Sequence, residues 1–215
     1  MAEQLGKLVD EAGGPAHAIH LLSPLEQLAA VEEAAVRAAA VASCLAVAAR
    51  LPPSALAEPY LAMVTALATR DWFTARMSAC VLVAPIYARL PPSPPPPARA
   101  LFTQLCRDDT PMVRRVAAAN LGPLAAAAEP WAAVMDLLPL FSALAEDDQD
   151  SVRLQTVDNC VAFSRAVPPP VCAQRVLPVL LETANDRSWR VRWSVANKLH
   201  DVCAALGPEV RIAVY

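Results

Sequence analysis

The sequence is poor in glycine and aromatic residues, and it has no long uncharged segment. Five glycines and 5% aromatics in 215 residues, beside 45 alanines, favour helices over strands and argue against an all-β fold. The longest stretch without Asp, Glu, Lys or Arg, Ala12 to Leu25, has 14 residues and is too short to span a bilayer. A net charge of −3 offers no basic surface for a phosphate backbone. We therefore expect neither membrane nor nucleic-acid binding.

Motifs for catalysis are also absent. The sequence has no P-loop, dinucleotide fingerprint, H-E-x-x-H or G-x-S-x-G. His17 and His20 lack a third ligand nearby, so we expect no metal and no cofactor. Six cysteines without a C-x-x-C pair are typical of reduced, buried thiols, although a cysteine nucleophile is the enzymatic alternative. The N-terminus resembles no targeting peptide, so we expect a cytoplasmic location, with the nucleus as a second one.

A repeat of about 39 residues organises the chain. An apolar residue followed by arginine recurs with arginine separations of 39, 38, 39 and 39 residues. Acidic residues precede each arginine by five or six positions. Apolar residues recur one position before and three, four and seven after each arginine, which describes one face of a helix. The repeated arginines are Arg37, Arg76, Arg114, Arg153 and Arg192.

Each repeat is predicted to be a pair of helices joined by a short acidic turn. A second amphipathic segment precedes every turn, and prolines separate successive units. Pro85 interrupts a helical pattern and predicts a kink. The predicted boundaries are 1–12 for the second helix of a partial repeat, 19–51, 55–90, 97–128, 130–167 and 170–207 for five repeats, and 208–215 for the start of a truncated repeat. We interpret the Pro91–Pro97 run as a spacer, with SH3-type docking as the alternative.

A helix pair of this length is the unit of HEAT-type arrays, in which stacked pairs share one core. The sequence therefore predicts an all-α HEAT-repeat solenoid. The repeated arginines are expected to form a structural ladder by bonding to acids or carbonyls of the turns. The variable turn residues are instead expected to line a protein-binding ridge. The alternative is an adaptor that binds another protein or a peptide on its concave face.

The turn sequences resemble one family closely. DWFTAR (71–76), DDTPMVRR (108–115), DQDSVRL (148–154) and SWRVRW (188–193) are similar to turns of the scaffolding A subunits of protein phosphatase 2A. GGP at 13–15 and GPEV at 207–210 extend the similarity over nearly the whole chain. The five repeats correspond to the N-terminal half of that family, and the repeats that hold the catalytic subunit have no counterpart here.

This resemblance implies a non-catalytic scaffold that binds a regulatory B-type subunit through its intra-repeat turns. It implies binding of the catalytic subunit only where the missing C-terminal repeats are present. The residues that it implies for regulatory-subunit contact are Glu32, Glu33, Asp71, Trp72, Phe73, Thr110, Pro111, Met112, Arg115, Asp147, Asp148, Gln149, Asp150, Ser188, Trp189 and Arg190.

Overall fold

The computed structural model describes residues 1–91 and 97–206, and in these ranges the regular structure is entirely helical. The chain divides into two compact units, Met1–Leu105 and Cys106–Tyr215. Most of the Pro91–Pro97 run and the segment 207–215, with its GPEV sequence, lie outside the described residues. None of the described helices is long and apolar enough to cross a membrane.

The first unit consists of short helices that alternate with long ones. A 3₁₀ turn, Ala18–Leu21, leads into α2, and a π-helical turn, Leu56–Tyr60, joins α4 to α5. The helices are α1 (Ala2–Leu5), α2 (Leu22–Ala29), α3 (Ala34–Arg50), α4 (Pro53–Ala55), α5 (Leu61–Ala68), α6 (Phe73–Tyr87) and α7 (Ala98–Cys106).

The second unit continues the alternation. Its π-helical turns, Ala133–Leu137 and Cys172–Val176, join α9 to α10 and α12 to α13. Its helices are α8 (Pro111–Ala127), α9 (Pro130–Ala132), α10 (Leu138–Ala145), α11 (Asp150–Ala166), α12 (Pro169–Val171), α13 (Leu177–Ala184) and α14 (Trp189–Ala205). Helix α11 packs between α8 and α14, so long helices stack side by side.

The π-helical turns coincide with prolines inside the shorter helices. Pro59 lies within the first, and Pro139 and Pro178 lie two residues beyond the other two. Proline lacks an N–H and its ring clashes with the carbonyl four residues earlier, so a locally widened turn accommodates it. The three turns recur at equivalent positions of their repeats, which makes this irregularity part of the repeating unit.

Buried hydrogen bonds from polar side chains of the long helices recur along the chain. Asn159 of α11 accepts the Gly122 N–H at 2.9 Å and donates to the Ala118 carbonyl at 3.0 Å, both on α8. At the equivalent place in the first unit, the Ser43 hydroxyl of α3 donates to the Ala2 carbonyl at 2.6 Å. Each junction also contains a glycine at close approach, because a Cβ on Gly6 or Gly122 would lie 2.8 Å from an atom of the facing residue.

One local prediction is wrong. The helix predicted over residues 1–12 ends at Leu5, and turns follow it as far as Gly13 and Gly14, which have φ values of 100° and 83°. Only glycine adopts these values without strain, so the segment cannot continue as a helix. Pro85 lies inside α6, which ends two residues beyond it and has 15 residues, whereas α3, α8, α11 and α14 have 17. The kink at Pro85 stays a prediction.

Candidate functional site

The five repeated arginines all brace the turn that precedes their own helix. In each case one guanidinium nitrogen, Nη1, donates to the two backbone carbonyls five and six residues earlier, at 2.5–3.2 Å. The residue four positions before each arginine is extended and begins the long helix as its N-cap. The period of the arginines is therefore the period of one local hydrogen-bonded turn.

In the second unit the same arginines also connect successive turns. Arg114 donates to both carboxylate oxygens of Asp147 at 2.6 and 3.1 Å, and Arg153 donates to both of Asp186 at 2.7 and 2.9 Å. The side chains of Arg153 and Asp186 are 6% and 8% exposed. Such bidentate pairs are strong and directional, so each turn is held to the next.

The carboxylates of these pairs are shifted toward their charged form. The Arg153 guanidinium holds the pKa of Asp186 below its ordinary value against the opposing effect of burial, and the Ser188 N–H adds to the shift. Burial opposes ionisation of Asp147, but hydrogen bonds from Arg114 and the Gln149 N–H lower its pKa. Each of these aspartates accepts a hydrogen bond from the backbone N–H of the N-cap residue of the following long helix.

The first unit uses other contacts between its turns. Arg70 donates to Glu26 at 2.7 Å. Arg70 occupies the position in its repeat that Asp147 and Asp186 occupy in theirs. Thr74 and Ser78 of α6 donate to the carbonyls of Ala30 and Ala29, at 3.1 and 2.7 Å. The hydroxyl groups of the second repeat thus add to the bonds that Arg37 makes to the turn of the first repeat.

The residues predicted to bind a partner in the first unit lie on the surface of two turns. Glu32 and Glu33 are exposed, and Glu33 caps α3 by accepting the Ala35 N–H at 3.4 Å. Trp72 is 52% exposed and packs on the half-buried Phe73 with ring centroids 5.4 Å apart. Asp71 beside it is exposed. This turn presents an aromatic surface next to a carboxylate.

The second unit contains the other three turns with predicted contact residues. Met112 is 50% exposed and Trp189 is 66% exposed, and arginines lie close to both in sequence. Within the candidate set of this unit, the structure exposes Arg115, Asp148, Gln149 and Arg190 and half-buries Thr110, Pro111, Asp150 and Ser188.

One candidate points inward and one exposed residue was not predicted. The Asp147 side chain is 7% exposed and occupied by Arg114, so it holds the turn instead of offering a contact. Trp193 is 61% exposed and lies one helical turn after Trp189. The spacing of four residues between two tryptophans on one helix was the available signal.

Three buried thiols are held in their protonated form, and the described residues form no metal site. Burial raises the pKa of Cys44, Cys106 and Cys160 to about 12, which keeps these thiols protonated. Within residues 1–91 and 97–206, no group of three or more histidine, cysteine or acidic side chains could hold an ion. The chemistry that the turns offer is therefore recognition by aromatic, arginine and carboxylate groups.

Comparison with known proteins gives the class first. The HEAT repeat family model matches residues 176–206. The crystal structure of Kap121p bound to Pho4p has a similar fold, with a TM-score of 0.70 over 92% of this chain and 22% of that chain at 15% identity. The fold class is therefore an all-α array of HEAT-type helix pairs.

The curated relatives then give the family resemblance in particular. The chain is 47% identical over 137 residues to a probable serine/threonine-protein phosphatase PP2A regulatory subunit of Caenorhabditis elegans, covering 64% of this chain and 23% of the relative. It is 42% identical over 139 residues to the protein phosphatase 2A scaffold subunit of Dictyostelium discoideum, covering 65% and 24%. The resemblance to scaffolding A subunits is confirmed, and the chain spans about a quarter of the length of these relatives.

Proposed function

We propose that this chain is a non-catalytic scaffold segment that binds a regulatory B-type subunit of protein phosphatase 2A through its intra-repeat turns. The similarity to scaffold subunits supports the role, and the exposure of aromatic and arginine side chains at the turns supports the surface. The catalytic subunit is proposed as a partner only where further repeats are joined to this segment. We place the protein in the cytoplasm, with the nucleus as a second location.

The proposed surface is supported by a difference between two kinds of side chain in the turns. The periodic arginines are hydrogen-bonded to backbone carbonyls and, in the second unit, to aspartates. In contrast, Arg115, Trp72 and Trp189 are exposed to solvent. Aromatic and arginine anchors contribute most of the binding energy in protein interfaces, about 2 kcal/mol or more each when they become fully desolvated. Exposed rim charges such as Glu32 contribute less, about 0–1 kcal/mol.

The test is co-elution and affinity measurement of the full chain with a purified regulatory B-type subunit and, separately, with the catalytic subunit. Arg115→Glu is expected to weaken binding of the regulatory subunit by about 30-fold or more, since a loss of about 2 kcal/mol corresponds to that factor. Arg165→Glu is the matched control, because Arg165 is exposed near the far end of α11. Equal effects of the two variants would contradict binding through the turns, and binding abolished only by concave-face substitutions would favour the adaptor.

A further inference from the structure

Trp189 is the most exposed aromatic side chain among the described residues, and no other aromatic ring supports it there. It is 66% exposed, and none of the ring pairs within residues 1–91 and 97–206 includes it. Trp72, the tryptophan of the second turn, differs because it packs on Phe73. An exposed tryptophan that binds as a rigid anchor requires its orientation to be set by its neighbours.

Asp150 holds the residues on both sides of Trp189. Its Oδ2 atom accepts the Ser188 hydroxyl at 2.9 Å and lies 3.7 Å from Nη1 of Arg190. Ser188 begins α14 as its N-cap, yet its side chain makes no capping hydrogen bond, because the hydroxyl is directed to Asp150. The carboxylate thus bridges two turns and fixes the backbone start and the charged neighbour of Trp189.

This brace belongs to one pair of turns. The position of Asp150, three residues before the repeated arginine, is occupied by Ala34, Phe73, Pro111 and Trp189 in the other repeats. Arg187 strengthens the same connection by donating to the Asp148 carbonyl at 2.9 Å. Asp148 therefore takes part in this connection through its backbone carbonyl and not through its side chain.

We propose that Asp150 is a positioning residue that presets Trp189 and Arg190 for the regulatory subunit and is not itself a contact residue. The inference rests on the proposed function, and it corrects the role that the sequence resemblance implied for Asp150. Loss of one charge-assisted hydrogen bond at a half-exposed site is expected to weaken binding about fivefold.

A double-mutant cycle separates positioning from contact. Asp150→Ala is expected to weaken binding about fivefold in the wild-type background and by less than twofold in a background that carries both Trp189→Ala and Arg190→Ala, because both groups that it orients are gone. Asp148→Ala is the matched control: it removes the same charge from the same turn, and its effect is expected to be equal in both backgrounds. Equal weakening by Asp150→Ala in the two backgrounds, or none in either, would overturn the proposal.

A second measurement needs no partner. The indole N–H resonance of Trp189, assigned by loss in Trp189→Phe, is expected to shift and to gain mobility in Asp150→Ala and in Ser188→Ala, but not in Asp148→Ala. Ser188→Ala removes the same hydrogen bond from the other side, so misfolding of one variant does not decide the result. An unchanged resonance in Ser188→Ala and Asp150→Ala overturns positioning, whereas a wild-type chain that fails to bind overturns only the proposed function.

Discussion

Replacement of Arg153 by methionine tests the central claim that the periodic arginines hold the stack together. The substitution keeps the apolar stem and removes two bonds to Asp186 and two to backbone carbonyls. Asp186 would remain with a side chain only 8% exposed and without its cation. Removing one partner of a buried ion pair costs about 3–5 kcal/mol. With a urea dependence of about 2 kcal/mol per molar, the unfolding midpoint should fall by about 1.5 M or more.

Arg192→Met is the control for this change. Arg192 makes the same two bonds to carbonyls of its turn, at 2.7 and 3.2 Å, but it forms no ion pair among the described residues. We expect this variant to lose about 1 kcal/mol, the value of ordinary hydrogen bonds at an exposed site. Both variants are compared by urea unfolding followed by circular dichroism at 222 nm. An equal or smaller loss for Arg153→Met would refute the assignment of the ladder.

Three further outcomes are expected. Because the pKa of Asp186 is lowered in the folded state, the advantage of wild type over Asp186→Asn should be complete above about pH 4 and should shrink as the pH falls below that value. An advantage that stays constant as the pH is lowered below about 4 in urea unfolding would contradict this. Gly122→Ala should cost about 1–3 kcal/mol in the same assay, because its Cβ would lie 2.8 Å from Asn159 Oδ1, while Ala119→Ser at an exposed position of α8 should change little. Iodoacetamide should modify Cys203 alone, as measured by intact-protein mass spectrometry, and Cys203→Ser should abolish the reaction. Labelling of any of the five buried thiols would instead favour the enzymatic alternative.

The helical class and the turn arginines could be predicted because they depend on short-range patterns. An arginine that reaches carbonyls five and six residues earlier repeats with the turn itself, so its period is visible in the sequence. The pairing of Arg114 with Asp147 could not be predicted in the same way. The sequence shows acids before each arginine, but which turn receives each guanidinium depends on how neighbouring helix pairs stack.

Other features were missed because they arise from packing. Asp147 was predicted to contact a partner from its place in an acidic turn, yet the stacking of α8 and α11 turns it inward. The π-helical turns depend on where a proline falls relative to helix ends that the sequence locates only approximately. The helix predicted over residues 1–12 ends at Leu5, and the positive φ values of Gly13 and Gly14 beyond it are a backbone property that hydrophobic periodicity does not report.

The adjacent residues Arg114 and Arg115 show how one turn can both stabilise the stack and recognise a partner. Successive residues of a helix point about 100° apart. Arg114 faces Asp147, and Arg115 points in a different direction and is exposed. The position after each periodic arginine varies between repeats, as Ala38, Met77, Arg115, Leu154 and Trp193. The geometry of the helix thus assigns the invariant position to the ladder and leaves the next position open to specificity, so Trp193 joins Arg115 as a residue whose substitution should alter binding without loosening the stack.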